Sequence, residues 1–460
     1  MTPIPAAGPS NPPRHCKERS DAAIQGPQDL TLDADAPCIA APQAARNDRE
    51  PRGPRAPTAA LTRRAALAAA GALAMPGILR AQSSAPIRIG EINSYTGQPA
   101  FTLPYRNGWQ LALEQANAAG GVLGRKLEII SRDDAGRPQD AVRVANELLS
   151  DQHVDLLAGT FLSNVGLVVS DVALQNHRPF IGGEPLSDAL VWERGNRYTF
   201  RLRPSTYMLA AMLVEDAAKL PAKRWVTVAP NYEYGQSAVK WFKQLLQAKR
   251  PDVEFVGEQW PALGRIDAGA TVQALAQPRP DAIFNVTFGA DLTNFVRQGN
   301  TRGLFERRSV VSMLTGEPEY LDPLGDETPE GWIVTGYPWD SLDTADHRTF
   351  AKAYREKFAD APKCGSVVGF ALVNAIVAGL LHAGSTDPEA MVAGFRGAQF
   401  ATPFGPAAFR PLDHQATLGA YVGRLGLKDG RGTMVDWRYV DGASALPSDA
   451  EVRTLRPAAD

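Results

Sequence analysis

From residue 86 onward, apolar positions follow two alternating rhythms. The run at 87–92 predicts a strand, and Leu111, Ala112 and Ala116 at helical spacing predict a helix over 103–119 that Gly120-Gly121 ends. Strands at 127–130, 154–159 and 179–182 alternate with helices at 141–149 and 165–174. Beyond 198–203 the rhythm restarts, with helices at 207–220, 238–246, 271–275 and 292–298 between strands at 225–229, 253–256, 282–286 and 310–314. Strand–helix alternation of this kind predicts an α/β fold, because right-handed crossovers cover both faces of a parallel sheet with helices. Two such blocks predict two Rossmann-like lobes with parallel central sheets, joined by a multi-strand hinge. The segment 332–336 is expected to lead back to the first lobe, and helices at 349–358 and 367–382 to complete its cover. Lobe 1 is thus expected over 86–203 plus 337–412, lobe 2 over 204–336 plus 413–445, and a C-terminal tail over 446–460.

Composition changes sharply before that body. No Phe, Tyr or Trp precedes Tyr95, and residues 1–60 hold 11 Pro and 13 Ala. Such a stretch buries too little apolar surface to offset chain entropy, so a disordered extension or a mis-assigned start is expected over 1–60. Residues 61–81 read as an export signal: Arg63-Arg64 opens an uncharged run from Ala65 to Leu79, and Leu79-Arg80-Ala81 offers a cleavage point. The arginine pair is similar to the twin-arginine type. The run is too short for the roughly 30 Å hydrocarbon core, and no Cys follows it to accept a lipid, so a periplasmic product without a membrane or lipid anchor is expected.

Charge and motifs exclude several functions. The chain carries 48 Lys plus Arg against 50 Asp plus Glu, and no basic face for nucleic acid is expected. Walker A, Gly-Xaa-Ser-Xaa-Gly, His-Glu-Xaa-Xaa-His and dinucleotide-turn patterns are absent, the histidines share no ligand spacing, and Cys364 is the one cysteine past residue 81. No catalytic residue, cofactor or metal is expected; Asp133-Asp134 reads as a turn or cap in preference to a cation site. What remains is the crevice at the strand C-termini, where helix N-termini offer unpaired N–H groups. Three junctions present hydroxyl, amide or aromatic groups there: 160–164, 231–235 and 288–291.

The motifs Ile87-Arg88-Ile89-Gly90, Thr96-Gly97, Ala116 through Glu128 with its Gly120-Gly121-Val122-Leu123-Gly124-Arg125-Lys126 turn, Asp133-Asp134 and Pro138 resemble the type I periplasmic solute-binding proteins of the leucine/isoleucine/valine-binding kind. The resemblance spans nearly all of 86–440 and implies a clamshell that hands a small solute to an ABC permease and ATPase complex, acting as a monomer. It puts Ser163 where a hydroxyl and backbone N–H hold a ligand carboxylate, Tyr234 on the second-lobe wall, Glu317 where an acid meets a ligand ammonium, and Phe101 as a side-chain wall. The segment 182–187, with Glu184 and Leu186, departs from the family's small and hydroxyl residues; Phe288 stands where tyrosine is common, and Gly136 and Leu162 stand where the family often has a disulfide. A buried Leu cannot pair with an ammonium or a carboxylate. Aromatic acids, amides and other small carboxylates are therefore as compatible as branched-chain amino acids, with Phe101, Tyr105, Tyr207 and Phe288 available to stack on a ring. The alternatives are a ligand sensor of the same fold and a periplasmic hydrolase using Glu184 or Glu317.

Overall fold

The computed structural model describes residues 85–456. The extension expected over 1–60, the export signal over 61–81, Cys16 and Cys38 lie outside the described residues. The chain begins with β1 (Ile87–Asn93), α1 (Pro99–Ala118), β2 (Leu127–Asp133), α2 (Pro138–Ser150), β3 (Leu156–Gly159), α3 (Ser163–Gln175), β4 (Phe180–Gly182) and β5 (Thr199–Arg201). These strands form one all-parallel sheet in the order β2-β1-β3-β4-β5. Ile87, Ile89, Leu156 and Leu157 are fully buried because helices cover both faces.

The second lobe follows as α4 (Thr206–Ala217), β6 (Arg224–Val228), α5 (Glu233–Lys249), β7 (Glu254–Gln259), α6 (Ala268–Ala276), β8 (Ala282–Asn285), α7 (Gly289–Thr301), β9 (Ser309–Gly316), α8 (Pro318–Leu321) and β10 (Ile333–Gly336). The chain then supplies α9 (Ala345–Phe358), α10 (Cys364–Ala383), α11 (Pro388–Phe395) and the small hairpin β11 (Gln399–Thr402)–β12 (Gly405–Ala408) to the first lobe, and returns as β13 (Ala420–Lys428) and β14 (Arg431–Val440). The second sheet runs β14-β13-β10-β9-β8-β6-β7.

β10 lies inside the second sheet, parallel to β9 and antiparallel to β13, and the chain crosses to the first lobe after Gly336. One expectation needs correction: the second sheet is not wholly parallel, since β13 and β14 form an antiparallel edge hairpin. Its turn places Asp429 at φ 52° and Gly430 at φ 72°, the left-handed pair that a two-residue hairpin of matching twist requires. The stretch beyond 446 carries α12 (Asp449–Leu455), and Arg456 behind it donates to the carbonyls of Val191, Asn196 and Asp413 at 2.6–2.9 Å.

One contact governs the floor of the first lobe. Helices α1 and α10 cross so closely that a Cβ at Gly369 would lie 2.0 Å from the Tyr105 carbonyl oxygen, and one at Gly108 2.0 Å from that of Ser366. The apolar length of α10 serves this burial, with 72% of its most apolar window inside the protein. Gly369→Ala is expected to push the helices apart and cost about 1–3 kcal/mol, read as a lower midpoint in urea unfolding.

Candidate functional site

Three strand-to-helix junctions converge between the lobes. In the first lobe β3 leads through Phe161 into α3, which begins at Ser163; in the second, β6 leads through Tyr232 into α5, and β8 leads through Phe288 into α7. None of the three helices has a side-chain cap, so their first N–H groups keep partial positive charge at the crevice.

A small cavity of about 20 Å³, room for about one water molecule, lies where these ends meet. Phe161, Ser163, Glu184 and Leu186 line it from the first lobe, Arg203 from the crossover after β5, and Tyr232, Tyr234, Phe288, Leu314 and Tyr320 from the second. As it stands the space is too small for a ring or a branched side chain, so a solute enters only as the lobes and their aromatic walls move apart. Aromatic rings meet across it: Phe161 lies 6.1 Å edge-on from Phe288, which lies 5.8 Å from Tyr234 and 6.4 Å from Tyr320. The lobes are therefore closed on each other here.

Ser163 has a defined polarity. Its Oγ accepts from the backbone N–H of Leu186 at 3.2 Å and of Ser187 at 3.1 Å. Both lone pairs are thereby occupied, which leaves only its O–H to offer the cavity, as a donor. The Tyr234 hydroxyl is buried without a partner, and its burial holds its pKa above the ordinary phenol value.

Behind this surface sits Arg203, 5% exposed. It donates to Glu184 Oε2 at 2.9 Å and to Glu317 Oε1, lies 3.6 Å from Cys364 Sγ, and stacks its guanidinium 5.2 Å from the Phe101 ring centre. Glu184 comes from the loop after β4 and Glu317 from the N-cap of α8, so one guanidinium joins both lobes. Burial raises the Glu184 carboxyl to about 8, against the opposing pull of Arg203. Burial likewise raises Glu319, whose Oε1 accepts the Gly365 N–H at 2.6 Å, and keeps the Cys364 thiol protonated well above its ordinary value. Glu184 Oε1 and Glu317 Oε2 have no partner.

Of the residues expected from sequence, Ser163, Glu184, Leu186, Tyr234 and Phe288 line the cavity. Phe101 packs behind Phe161 at 5.1 Å, and Glu317 reaches the site only through Arg203. Tyr105 is fully buried behind the loop, its hydroxyl 3.3 Å from where a Cβ on Gly183 would stand. Tyr207 is elsewhere: it packs edge-on against Trp192 at 5.5 Å and Trp241 at 4.9 Å. Arg203, Leu314 and Tyr320 were not anticipated, and a buried arginine leaves no mark in sequence that separates it from a surface one. Phe161 and Tyr232 lie within the junctions at 160–164 and 231–235, where a strand end followed by a helix was the available signal. Gly136 and Leu162 are neighbours, a Cβ on the glycine lying 3.4 Å from Leu162 Cδ1. Asp133 and Asp134 act as turn acceptors, Asp134 Oδ1 taking the Ser94 hydroxyl at 2.6 Å and the Gly136 N–H at 2.7 Å. Among the described residues no group of three or more His, Cys, Asp or Glu is placed to hold a metal ion.

Known proteins are similar to this chain in sequence and in fold. Leu/Ile/Val-binding protein homolog 7 of Brucella suis is 26% identical over 302 residues, covering 62% of this chain and 74% of that protein. A solute-binding protein of an ABC transporter from Rhodopseudomonas palustris BisB5, solved with 3,4-dihydroxybenzoic acid, superposes with a TM-score of 0.71 at 24% identity, covering 78% of this chain and 98% of that one. The branched-chain amino acid transporter substrate-binding protein of Streptococcus pneumoniae, solved with isoleucine, gives a TM-score of 0.67 at 20% identity, over 77% and 99% of the two chains. With residues 86–431 matching the family described as periplasmic binding protein, this chain belongs to that family.

Proposed function

We propose that this protein is the substrate-binding component of an ABC importer, exported by the signal at 61–81, that captures a small aromatic carboxylate between its lobes and delivers it unchanged to an inner-membrane permease and ATPase. The observation that carries the choice of solute is the pairing at the cavity wall. Ser163 offers only a donor, whereas Glu184 and Glu317, the acids available to an ammonium, are both tied to Arg203. A carboxylate fits a wall of donors and helix N-termini, and a ring fits the faces of Phe161, Tyr234 and Phe288. The aromatic acid held by the R. palustris relative supports the same reading.

A second reading, an aliphatic amino acid, draws on the unpartnered Glu184 Oε1 and Glu317 Oε2, which an ammonium would satisfy, and on the isoleucine held by the S. pneumoniae protein. Titration calorimetry with benzoate and isoleucine separates the two. Benzoate is expected to bind at least about ten-fold more tightly, a difference of about 1.4 kcal/mol; tighter binding of isoleucine would reverse the assignment.

A further inference from the structure

The loop that lines the cavity with Glu184 and Leu186 continues into Ser187, whose side chain crosses to the other lobe. Its hydroxyl donates to Glu233 Oε1 at 2.6 Å. Glu233 opens α5 between Tyr232 and Tyr234, both of which line the cavity, while neither Ser187 nor Glu233 does. The backbone N–H of Ser187 is also one of the two that fill the lone pairs of Ser163. A continuous run of hydrogen bonds therefore leads from the cavity hydroxyl, through Ser187, to a carboxylate of the second lobe. One helical turn along α5, Ser237 donates to Asp188 Oδ2 at 3.2 Å, so two successive residues of the loop meet positions i and i+4 of one helix face.

These bonds join groups on separate lobes, so opening of the lobes breaks them. Only contacts that differ between open and closed states shift that equilibrium, and a hydroxyl–carboxylate bond of this length is of the strong, charge-assisted kind. The exposed Lys240–Glu193 pair, at 3.3 Å on the rim, adds little by comparison. We propose that Ser187 and Glu233 form a closure latch: positioning residues that hold the lobes together and set solute affinity without touching the solute. The latch rests on the solute-capture reading for its affinity arm alone.

The test uses the full-length protein and four variants: Ser187→Ala, Glu233→Ala, Glu233→Gln and the Ser187→Ala/Glu233→Ala double. Dissociation constants for benzoate come from calorimetry, and radii of gyration with and without benzoate from small-angle scattering. Each alanine variant is expected to weaken binding by about ten-fold or more and to enlarge the radius. Glu233→Gln, which keeps an acceptor oxygen, is expected to recover most of the affinity, and the double variant to lose no more than either single one. Parent-like affinity and radius in both alanine variants would overturn the latch. So would a loss confined to Ser187→Ala, or losses that add in the double variant, because either would make Ser187 a shaper of its own loop. If the parent does not bind benzoate, the choice of solute falls, and the radii still decide the latch: enlarged variants uphold it and unchanged ones overturn it.

Discussion

Replacing Arg203 by methionine is expected to lower folding stability at pH 8 by about 3–5 kcal/mol and to abolish solute binding. Among the described residues it is the only cation paired with Glu184 and Glu317, and the side chains of both acids are almost fully buried. Methionine fills a similar volume but leaves two carboxylates in a desolvated site, with Glu319 adding its own charge nearby. The loss also has a direction in pH. Burial already lifts Glu184 to about 8 from its ordinary 4.5, and removing Arg203 takes away the interaction that opposes this rise. A carboxyl whose folded-state pKa lies above its unfolded one keeps a proton that the unfolded chain releases. Its stabilising effect is therefore lost as pH climbs from about 5 through the folded value. Urea unfolding at pH 5.5 and pH 8 is expected to show a much larger deficit for the variant at the higher pH. Equal deficits at the two pH values would mean that the carboxyls do not carry the effect.

Ser163→Ala is expected to weaken solute binding by about 100-fold. A donor to a charged acceptor contributes about 1.5–3 kcal/mol, the upper end of which is about 100-fold in affinity; the same substitution leaves the N–H groups of Leu186 and Ser187 without their acceptor, which lowers the stability of the solute-free protein by about 1–3 kcal/mol each. Tyr234→Phe forms the informative contrast. The Tyr234 hydroxyl has no partner within the protein, so its removal is expected to raise the unfolding temperature of the solute-free protein while weakening binding by about ten-fold. Calorimetry and thermal unfolding of both variants check this pair of results. A Ser163→Ala protein that binds like the parent would remove the serine from the site.

The layered α/β plan was legible because its signal is periodic: buried parallel strands are continuous apolar runs, and their crossover helices repeat at helical spacing. The edge hairpin at 420–440 is different in kind. Its strands face solvent on one side, as Val435 at 40% and Tyr439 at 37% exposure show, and do not stand out as apolar runs; the Asp429-Gly430 pair was the mark that could have revealed it. The strand at 333–336 was visible as a strand of the second lobe, but its place between 309–316 and 420–428 depends on pairings that local sequence does not carry. The site divides in the same way. Ser163, Tyr234 and Phe288 follow from strand-to-helix junctions, which fix a place in this architecture. Arg203, Leu314 and Tyr320 depend on how two lobes close over one cavity. Tyr207 illustrates the opposite error, since an aromatic residue at a lobe crossing can complete a Trp192–Trp241 cluster as readily as a ligand wall.

A crystal structure of the protein grown with saturating benzoate puts the proposal to its sharpest trial. The carboxylate is expected within hydrogen-bonding distance of Ser163 Oγ, with the ring between Phe161, Tyr234 and Phe288 and both lobes in contact with it. Benzoate seated on one lobe alone, or a cavity that stays empty of it at saturation, would contradict solute capture at this site.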